Sequence, residues 1–412
     1  VGYIFINRFF YPDHSATSQL LTDLAVSLAA SGEMVTVICS RQKYDDPQVE
    51  LTPRERYQGI EIVRLWTTRF GRNNLAGRAV DYLTFYLSAA WRLLILISKN
   101  DVVVAKTDPP MLSVLAGPIA HLRGAKLINW LQDLFPEVAM AIGPGKDGAM
   151  GSVYRLMRVL RDRSLRSADM NVVLGDRMAE RILAAGVAPE KTRLISNWAD
   201  ARVLKPVLHE ENDLRRAWGL DGKFVVGYSG NLGRAHEYET LIDAIARLED
   251  DPPSGPPVIW LFIGGGALYD EFALQTARRH LTSVVFKPYQ SRELLSQSLS
   301  AADVHLVSLR PELEGLIVPS KFYGITAVGR PALFIGDTDG EIARLNARHD
   351  CGVTVAPGDG AALAVAVRGF AEDPKRSVQL GKNARAAFEA SFAQAIAVKK
   401  WHQLLASIAS RA

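Results

Sequence analysis

Cysteine is nearly missing from this chain: there are two in 412 residues, Cys39 and Cys351, and neither sits in a C-x-x-C or His/Cys cluster. That excludes a disulfide framework and a zinc knuckle, and it is the usage expected of reduced thiols in a cytoplasmic protein. Cys39 ends an apolar run and is expected in the core. Charge of one sign is also scarce. The net charge of +4 is too small for a dedicated nucleic-acid binder. The excess is confined to one half: residues 1–200 carry 24 Lys and Arg against 20 Asp and Glu, and residues 201–412 carry 24 of each. No stretch has the charged start, apolar middle and small-residue cleavage site of a signal peptide. The longest apolar run, Tyr82 to Ile97, is broken by Arg92 and falls short of the ~18–20 residues a spanning helix needs, so no transmembrane segment is expected. Low-complexity segments and short repeats are missing as well.

What is present describes an ordinary globular chain, 48% hydrophobic and 22% charged, long enough for two domains. Val1 to Ile6 reads as a strand, and the loop Asn7 to Ala16 follows it. Leu20, Leu21, Leu24, Ala25 and Leu28 then keep helical spacing up to Gly32, and Met34 to Cys39 is the next strand. Similar runs recur at 101–105, 127–131 and 170–174. A second series begins at Phe224 and continues at 258–263, 283–286, 304–308, 332–335 and 352–355. Strands alternating with helices predict parallel sheets covered on both faces. The stretch from Asn197 to about Lys223 lacks a strand and contains Pro206, which places a hinge there. The division is therefore residues 1–200 and 201–392, two Rossmann-like α/β halves facing each other, with a closing helix over 393–412.

Chemistry gathers at the ends of the second-half strands. Between the strands at 304–308 and 332–335 lie Glu312, Glu314, the helix start Pro319-Ser320-Lys321, and the stop Gly329-Arg330-Pro331. A helix N-terminus, a cation and two carboxylates suit a ligand that is part diphosphate and part sugar. An ordinary βαβ connection with solvated glutamates fits the same spacing. Ser229-Gly230-Asn231-Leu232-Gly233-Arg234 is a strand-to-helix turn where backbone can approach phosphate and Arg234 can pair with it. Gly264-Gly265-Gly266 is a second such turn. Asp337-Thr338-Asp339 spells the D-x-D that chelates metal in some sugar transferases, but the following Gly340 favours a simple turn before a helix. In the first half Gln132, Asp133 and Glu137 follow a strand, and Asp133 can orient or deprotonate a hydroxyl, or merely cap a helix. His14 and His236 are isolated and read equally well as loop residues. Residues 154–166 form a basic amphipathic helix (Arg155, Arg158, Arg161, Arg163 and Arg166 beside Leu156, Met157, Val159, Leu160 and Leu165). With Arg64, Arg69, Arg72 and Arg78 it suits either an anionic membrane surface or a solvated face.

With these residues in hand the chain resembles the family 4 retaining glycosyltransferases of the GT-B fold, in the branch that builds colanic acid, O-antigen and capsular polysaccharides. The likeness runs from Phe5 to about Trp401. It rests on Phe10-Tyr-Pro-Asp13, Thr107-Asp-Pro-Pro110, Trp130 to Glu137, Asn197-Trp198, Gly230 to Gly233, Ile263 to Gly266, Ala302 to Val304, Val318 to Lys321 and Gly329 to Pro331.

The resemblance implies an α/β GT-B fold, two Rossmann-like domains across a cleft, with the last helix crossing back to the N-terminal domain. It implies a nucleotide sugar, usually a UDP-sugar, on the C-terminal domain and the acceptor on the N-terminal one. Retention is ascribed to front-face attack, with the donor's diphosphate taking the acceptor's proton, so no cofactor and no metal are expected. Asp133, Arg234, Lys321 and Glu312 are the implied catalytic set. Gly230, Asn231, Gly233, Gly264, Gly265, Gly266, Tyr289, Glu314, Gly315, Leu316, Ile317 and Ser320 are implied on the donor side. Asp13, His14, Ser15, Ala16 and Gln132 are implied on the acceptor side. Three departures stand out. The family's Glu pair aligns to Leu316 and Gly324, its first-loop Gly-Gly to Ser15-Ala16, and its Arg and Lys after the glycine turn to Asn231 and His236.

The expected activity is sugar transfer to a polyprenyl-diphosphate-linked glycan by a cytoplasmic protein peripheral to the inner membrane, without nucleic-acid partners. A UDP-sugar 2-epimerase and a non-catalytic sugar-nucleotide-binding subunit remain the alternatives.

Overall fold

The strand-like runs are short and continuous in apolar residues because both of their faces are covered. Val102–Ala105, Met170–Val173 and Ala332–Ile335 are buried at every position. The computed structural model describes residues 1–410 except 45, 47–48, 71–74 and 144–148. It divides into two compact units, Val1–Ser196 with Ala397–Ala412, and Asn197–Ile396.

In the first unit the strands are β1 (Gly2–Ile6), β2 (Met34–Ser40), β3 (Arg54–Tyr57), β4 (Ile60–Leu65), β5 (Val102–Ala105), β6 (Lys126–Trp130), β7 (Met170–Val173) and β8 (Thr192–Leu194). Among the described residues they form one sheet in the order β3-β4-β2-β1-β5-β6-β7-β8. All neighbours are parallel except β3 and β4. That antiparallel pair is absent from the sequence reading. Its turn is Gln58-Gly59, with φ of 47° and 84°, the two positive values a two-residue hairpin loop demands.

In the second unit β9 (Phe224–Asn231), β10 (Val258–Gly265), β11 (Val284–Lys287), β12 (Val304–Ser308), β13 (Ala332–Ile335) and β14 (Gly352–Val355) run parallel in the order β11-β10-β9-β12-β13-β14. Each sheet reverses its winding direction once, between β1 and β5 and between β9 and β12. Open sheets of this kind bind ligands beyond the C-terminal strand ends at that reversal.

Two helices depart from expectation. The apolar run at 82–97 belongs to a 22-residue helix, Leu75–Leu96, whose Phe85, Ala89 and Leu93 pack with Leu112, Ala116 and Ala120 of the neighbouring helix. Its residues Ala76–Leu96 are long and apolar enough to cross a membrane. The segment after β12 yields only a seven-residue helix, Lys321–Ala327. The closing helix Gln394–Ala409 sets Trp401 4.6 Å from Trp130 and His402 Nε2 3.1 Å from Ser27 Oγ, so its second part packs in the first unit.

Candidate functional site

Lys321 opens the short helix after β12, and its side chain reaches over to β9. There Nζ donates to the Asn231 carbonyl at 3.1 Å and lies 4.9 Å from the centre of the Tyr228 ring. Its third neighbour is His236 Nε2, at 3.3 Å. The other imidazole nitrogen, Nδ1, is 2.7 Å from the Ser308 carbonyl at the end of β12. A carbonyl only accepts, so Nδ1 carries the hydrogen and the Nε2 lone pair faces Lys321. Burial, then the neighbouring Lys321, holds His236 down at about 4, which keeps the ring neutral. Burial alone lowers Lys321 to about 8. The result is a cation fixed at the β9/β12 reversal, the place where an anionic ligand is expected.

The glycine turns meet beside it. β9 and β10 stay in register to their last residues, Gly230 against Gly264 and Asn231 against Gly265, and Leu232 N donates to the Gly265 carbonyl at 2.7 Å. A Cβ on Gly264 would lie 2.3 Å from the Gly230 carbonyl oxygen, and one on Gly266 2.3 Å from Asn231 Oδ1. Their φ values of +137° and +132° exclude other residues in any case. These two glycines let the strand ends interlock, which is a packing requirement before it is a phosphate site. Gly233 lies in the same turn, beside the Asn231 amide. Tyr289, 61% exposed, lays its ring against Gly264 and Gly265. Arg234 is exposed, with no ion-pair partner among the described residues.

The loop after β12 departs from the expected anion cradle. Gly315 N donates to Glu314 Oε1, and the N–H groups of Leu316 and Ile317 both turn back to the Leu313 carbonyl. These groups are taken up by a local turn. Glu314, expected to meet sugar hydroxyls, is 2% exposed and accepts from Glu341 N at 2.8 Å, so it holds the start of the helix Glu341–His349. Glu312 is exposed, its carboxylate 3.6 Å from Arg310 Nε. Ser320 is exposed at the cap position, and a helix of seven residues has only a weak dipole behind it. Gly324, where the family pattern has Glu, points its Cβ direction at methyls of Leu204 and Leu299, 3.7 Å away. The D-x-D segment is a turn. Asp337 Oδ1 accepts from Asp339 N at 2.9 Å, and Arg344 binds both oxygens of Asp339. No group of three His, Cys, Asp or Glu suited to a metal occurs among the described residues.

In the first unit Asp133 follows β6. Burial pushes its carboxyl up to about 7, against a hydrogen bond from Thr107 that lowers it. The next helix, Glu137–Ile142, has Pro136 at its cap and no side-chain cap bond, so Asp133 is not a helix cap. Next to it a void of about 20 Å³ is also lined by Lys106, Thr107, Asn129 and Arg161. Lys106 is 1% exposed, donates to the Thr17 carbonyl at 3.1 Å and sits 3.5 Å from the centre of the Trp130 ring. Gln132 is half-buried beside Asp133.

The first loop is built on Asp13. Its Oδ1 accepts from Ser15 N and its Oδ2 from Tyr44 N, so this carboxylate shapes the loop and is not held out to an acceptor. Ser15 caps the helix Ala16–Ala30 by position and keeps a buried, unpaired Oγ. His14 and Ala16 are exposed.

The basic face also thins. Arg64 pairs with Glu55 at 2.7 Å and Arg161 with Glu137 at 2.6 Å, both inside the fold. Arg155, Arg158, Arg163 and Arg166 are exposed, and Arg72 lies outside the described residues.

Residues 17–198 match the glycosyl transferase 4-like domain, and residues 210–387 match the glycosyl transferases group 1 domain. The chain is a family 4 glycosyltransferase of the GT-B fold. It is 28% identical over 336 residues to the probable glycosyltransferase WbjE of Pseudomonas aeruginosa, covering 81% of each chain. It is 28% identical over 229 residues to the putative colanic acid biosynthesis glycosyl transferase WcaI of Escherichia coli, covering 55% of each. Its fold is similar to that of Anabaena HepE in complex with UDP-glucose, with a TM-score of 0.70 and 18% identity over 98% of this chain and 99% of that one.

Within this glycosyltransferase the residues that sequence reasoning undervalued are His236, Ser308 and Lys106. His236 sits at the alignment position of the family's lysine, which was its one available signal. Lys106 directly follows the fully apolar strand β5, and a cation in that place marks a buried position.

Proposed function

We propose that this transferase moves a hexosyl or N-acetylhexosaminyl residue, with retention, from a UDP-sugar to a lipid-diphosphate-linked glycan in the assembly of a cell-surface polysaccharide such as an O-antigen or capsule. The observation that carries the reading is Lys321, held by Asn231 and His236 at the β9/β12 reversal of the second unit. The acceptor oxygen bonds to the anomeric carbon as the bond from that carbon to the phosphate oxygen breaks. The acceptor's proton passes to the departing diphosphate. Lys321 and Arg234 offset the charge that builds on the leaving group, so metal is not required. The neutral His236 orients Lys321 without adding a second charge. On the first unit we assign Asp133 to the acceptor hydroxyl.

UDP as the nucleoside diphosphate of the donor is supported by the HepE complex, and polysaccharide assembly by the likeness to WcaI. Work at the inner leaflet is supported by the exposed apolar residues Leu83, Leu87, Trp91 and Ile95 on Leu75–Leu96, and by Leu156 and Val159 with Arg155 and Arg158 on Ala149–Ser167.

The test incubates the protein with UDP-, GDP- and dTDP-sugars and a polyprenyl-diphosphate acceptor, with and without EDTA. Nucleoside diphosphate release should require the acceptor and survive EDTA. Lys321→Ala and Arg234→Ala should each lower turnover at least ~10²-fold. Isomerised sugar without acceptor would indicate an epimerase, and binding without turnover a scaffold. Near-normal activity in both variants would remove the assignment.

A further inference from the structure

The second unit has a cavity of about 380 Å³ that the transfer reaction does not use. Asp303 and Arg330 line it just ahead of β12 and β13, so it opens at the N-terminal strand ends, away from the end that bears Lys321. The helix Pro374–Ala387 supplies Lys382 and Arg385, and the loop before β9 supplies Pro206 and His209.

Cations exceed anions around this space. Asp303 is already engaged: its Oδ2 accepts from Val225 N at 2.8 Å and pairs with the buried Arg215 at 3.3 Å. Glu389 pairs with Arg385 Nε at 2.7 Å. Arg330 Nη2 donates to the Val207 and Ser300 carbonyls at 3.2 and 3.0 Å, and its positive charge has no ion-pair partner among the described residues. Lys382 is exposed at the rim and likewise has none.

Two nitrogens at the cavity, Arg330 Nε and His209 Nε2, are buried without a hydrogen-bond partner. The Asp303 Oδ1 atom lies 3.7 Å from His209 Nε2, too far to accept from it. Buried polar groups in folded proteins are almost always paired, and here two residues that line one cavity each keep an unpaired buried nitrogen. The surplus of positive charge around the space, Arg330, Lys382 and Arg385 against Asp303 and Glu389, suits it to an anion. The space exceeds one phosphate and falls in the roughly 300–1,000 Å³ range of small-molecule sites.

We propose that this cavity binds a small phosphate monoester, its phosphate between Arg330 and Lys382 and its organic part against Pro206 and Val328. The cavity also touches the reaction machinery from behind. Val328 and Gly329, in its wall, follow directly on the helix that Lys321 begins, and Arg385 donates to the Ala327 carbonyl at that helix's C-terminal end. An occupant therefore bears on the placement of Lys321, and this coupling, unlike the binding itself, rests on the transferase reading above.

The experiment is calorimetric titration of the full chain with inorganic phosphate and with glycerol 3-phosphate, UDP being present at saturation to fill the donor site. Glycerol is the control for the organic part. The expected result is one bound glycerol 3-phosphate per chain, held more tightly than phosphate, with no glycerol binding. Arg330→Gln and Lys382→Glu should each weaken it about tenfold or more, as loss of a charge-assisted bond does. Lys382 is exposed, so Lys382→Glu keeps its fold, and its unchanged affinity for UDP checks that the donor site is intact. No binding of either probe, or binding that Lys382→Glu leaves unaltered, overturns the site. Binding with no change in turnover keeps the site and overturns the coupling.

Discussion

Lys321 and Asp133 are the residues whose surroundings move their titration into the working range of pH, and each yields a limb of the rate profile. Lys321 titrates at about 8 in the free protein, so kcat/KM for the donor should fall as pH rises through that value and the ammonium is lost. Asp133 titrates at about 7, so a requirement for its carboxylate should lower the rate as pH falls through that value. Lys321→Arg keeps its charge and should shift the alkaline limb upward by more than a unit. A profile flat from pH 6 to 9 would contradict both assignments. Lys106 is a third buried ionisable group, and here the expected effect is on stability. Burial depresses its pKa well below the ordinary lysine value, so the unfolded chain binds the proton more strongly, and stability rises with pH between the two values. Lys106→Met should therefore raise the free energy of unfolding at pH 7 by about 1–3 kcal/mol, read as a higher urea midpoint, and the gain should shrink toward pH 10. Lys321 and the glycines were legible in the sequence because each stands at a strand end next to a helix start. The Lys321–His236 pair was not, since it joins residues 85 positions apart and depends on which imidazole nitrogen carries the proton.

At the scale of elements, most strands were legible because a parallel strand covered on both faces leaves an uninterrupted apolar run. The β3–β4 hairpin escaped because Arg54–Tyr57 is polar and its turn, Gln58-Gly59, lacks the Asn or Asp that usually marks such loops. At 312–317 the spacing fits an open cradle and an ordinary connection alike, and the carboxylate and N–H groups close on one another; spacing cannot show where a hydrogen bond goes. The helix Leu75–Leu96 begins seven residues before the apolar run that signals it. Its inner stripe is buried on the sheet, while Leu87 and Trp91 on the other side are 63% and 67% exposed. If that outer stripe meets lipid, Leu87→Gln with Trp91→Gln should abolish co-flotation with vesicles containing anionic phospholipid. Turnover on a water-soluble acceptor should stay within about twofold. Retained flotation would place the membrane contact elsewhere.

At the scale of the whole molecule, each of two parallel-sheet units reverses its winding once, and the reversal in the second unit is where a cation is fixed. The proposed division of labour rests on that asymmetry: Lys321 is held near a strand end, whereas the first unit's Lys106 is sealed under Trp130 and its Asp13 shapes a loop. The resemblance to glycosyltransferases was readable from the order of many weak motifs, since order survives where single residues have changed. The residues that depart from the pattern, such as Gly324, were readable only as departures. Hydrogen exchange of the full chain with and without UDP tests the central claim most directly. The account predicts slowed exchange at 228–236 and 314–323, lost in Lys321→Ala, and no change at 7–16 or 105–111. Protection at 7–16 and 105–111, with 228–236 and 314–323 unaffected, would contradict it.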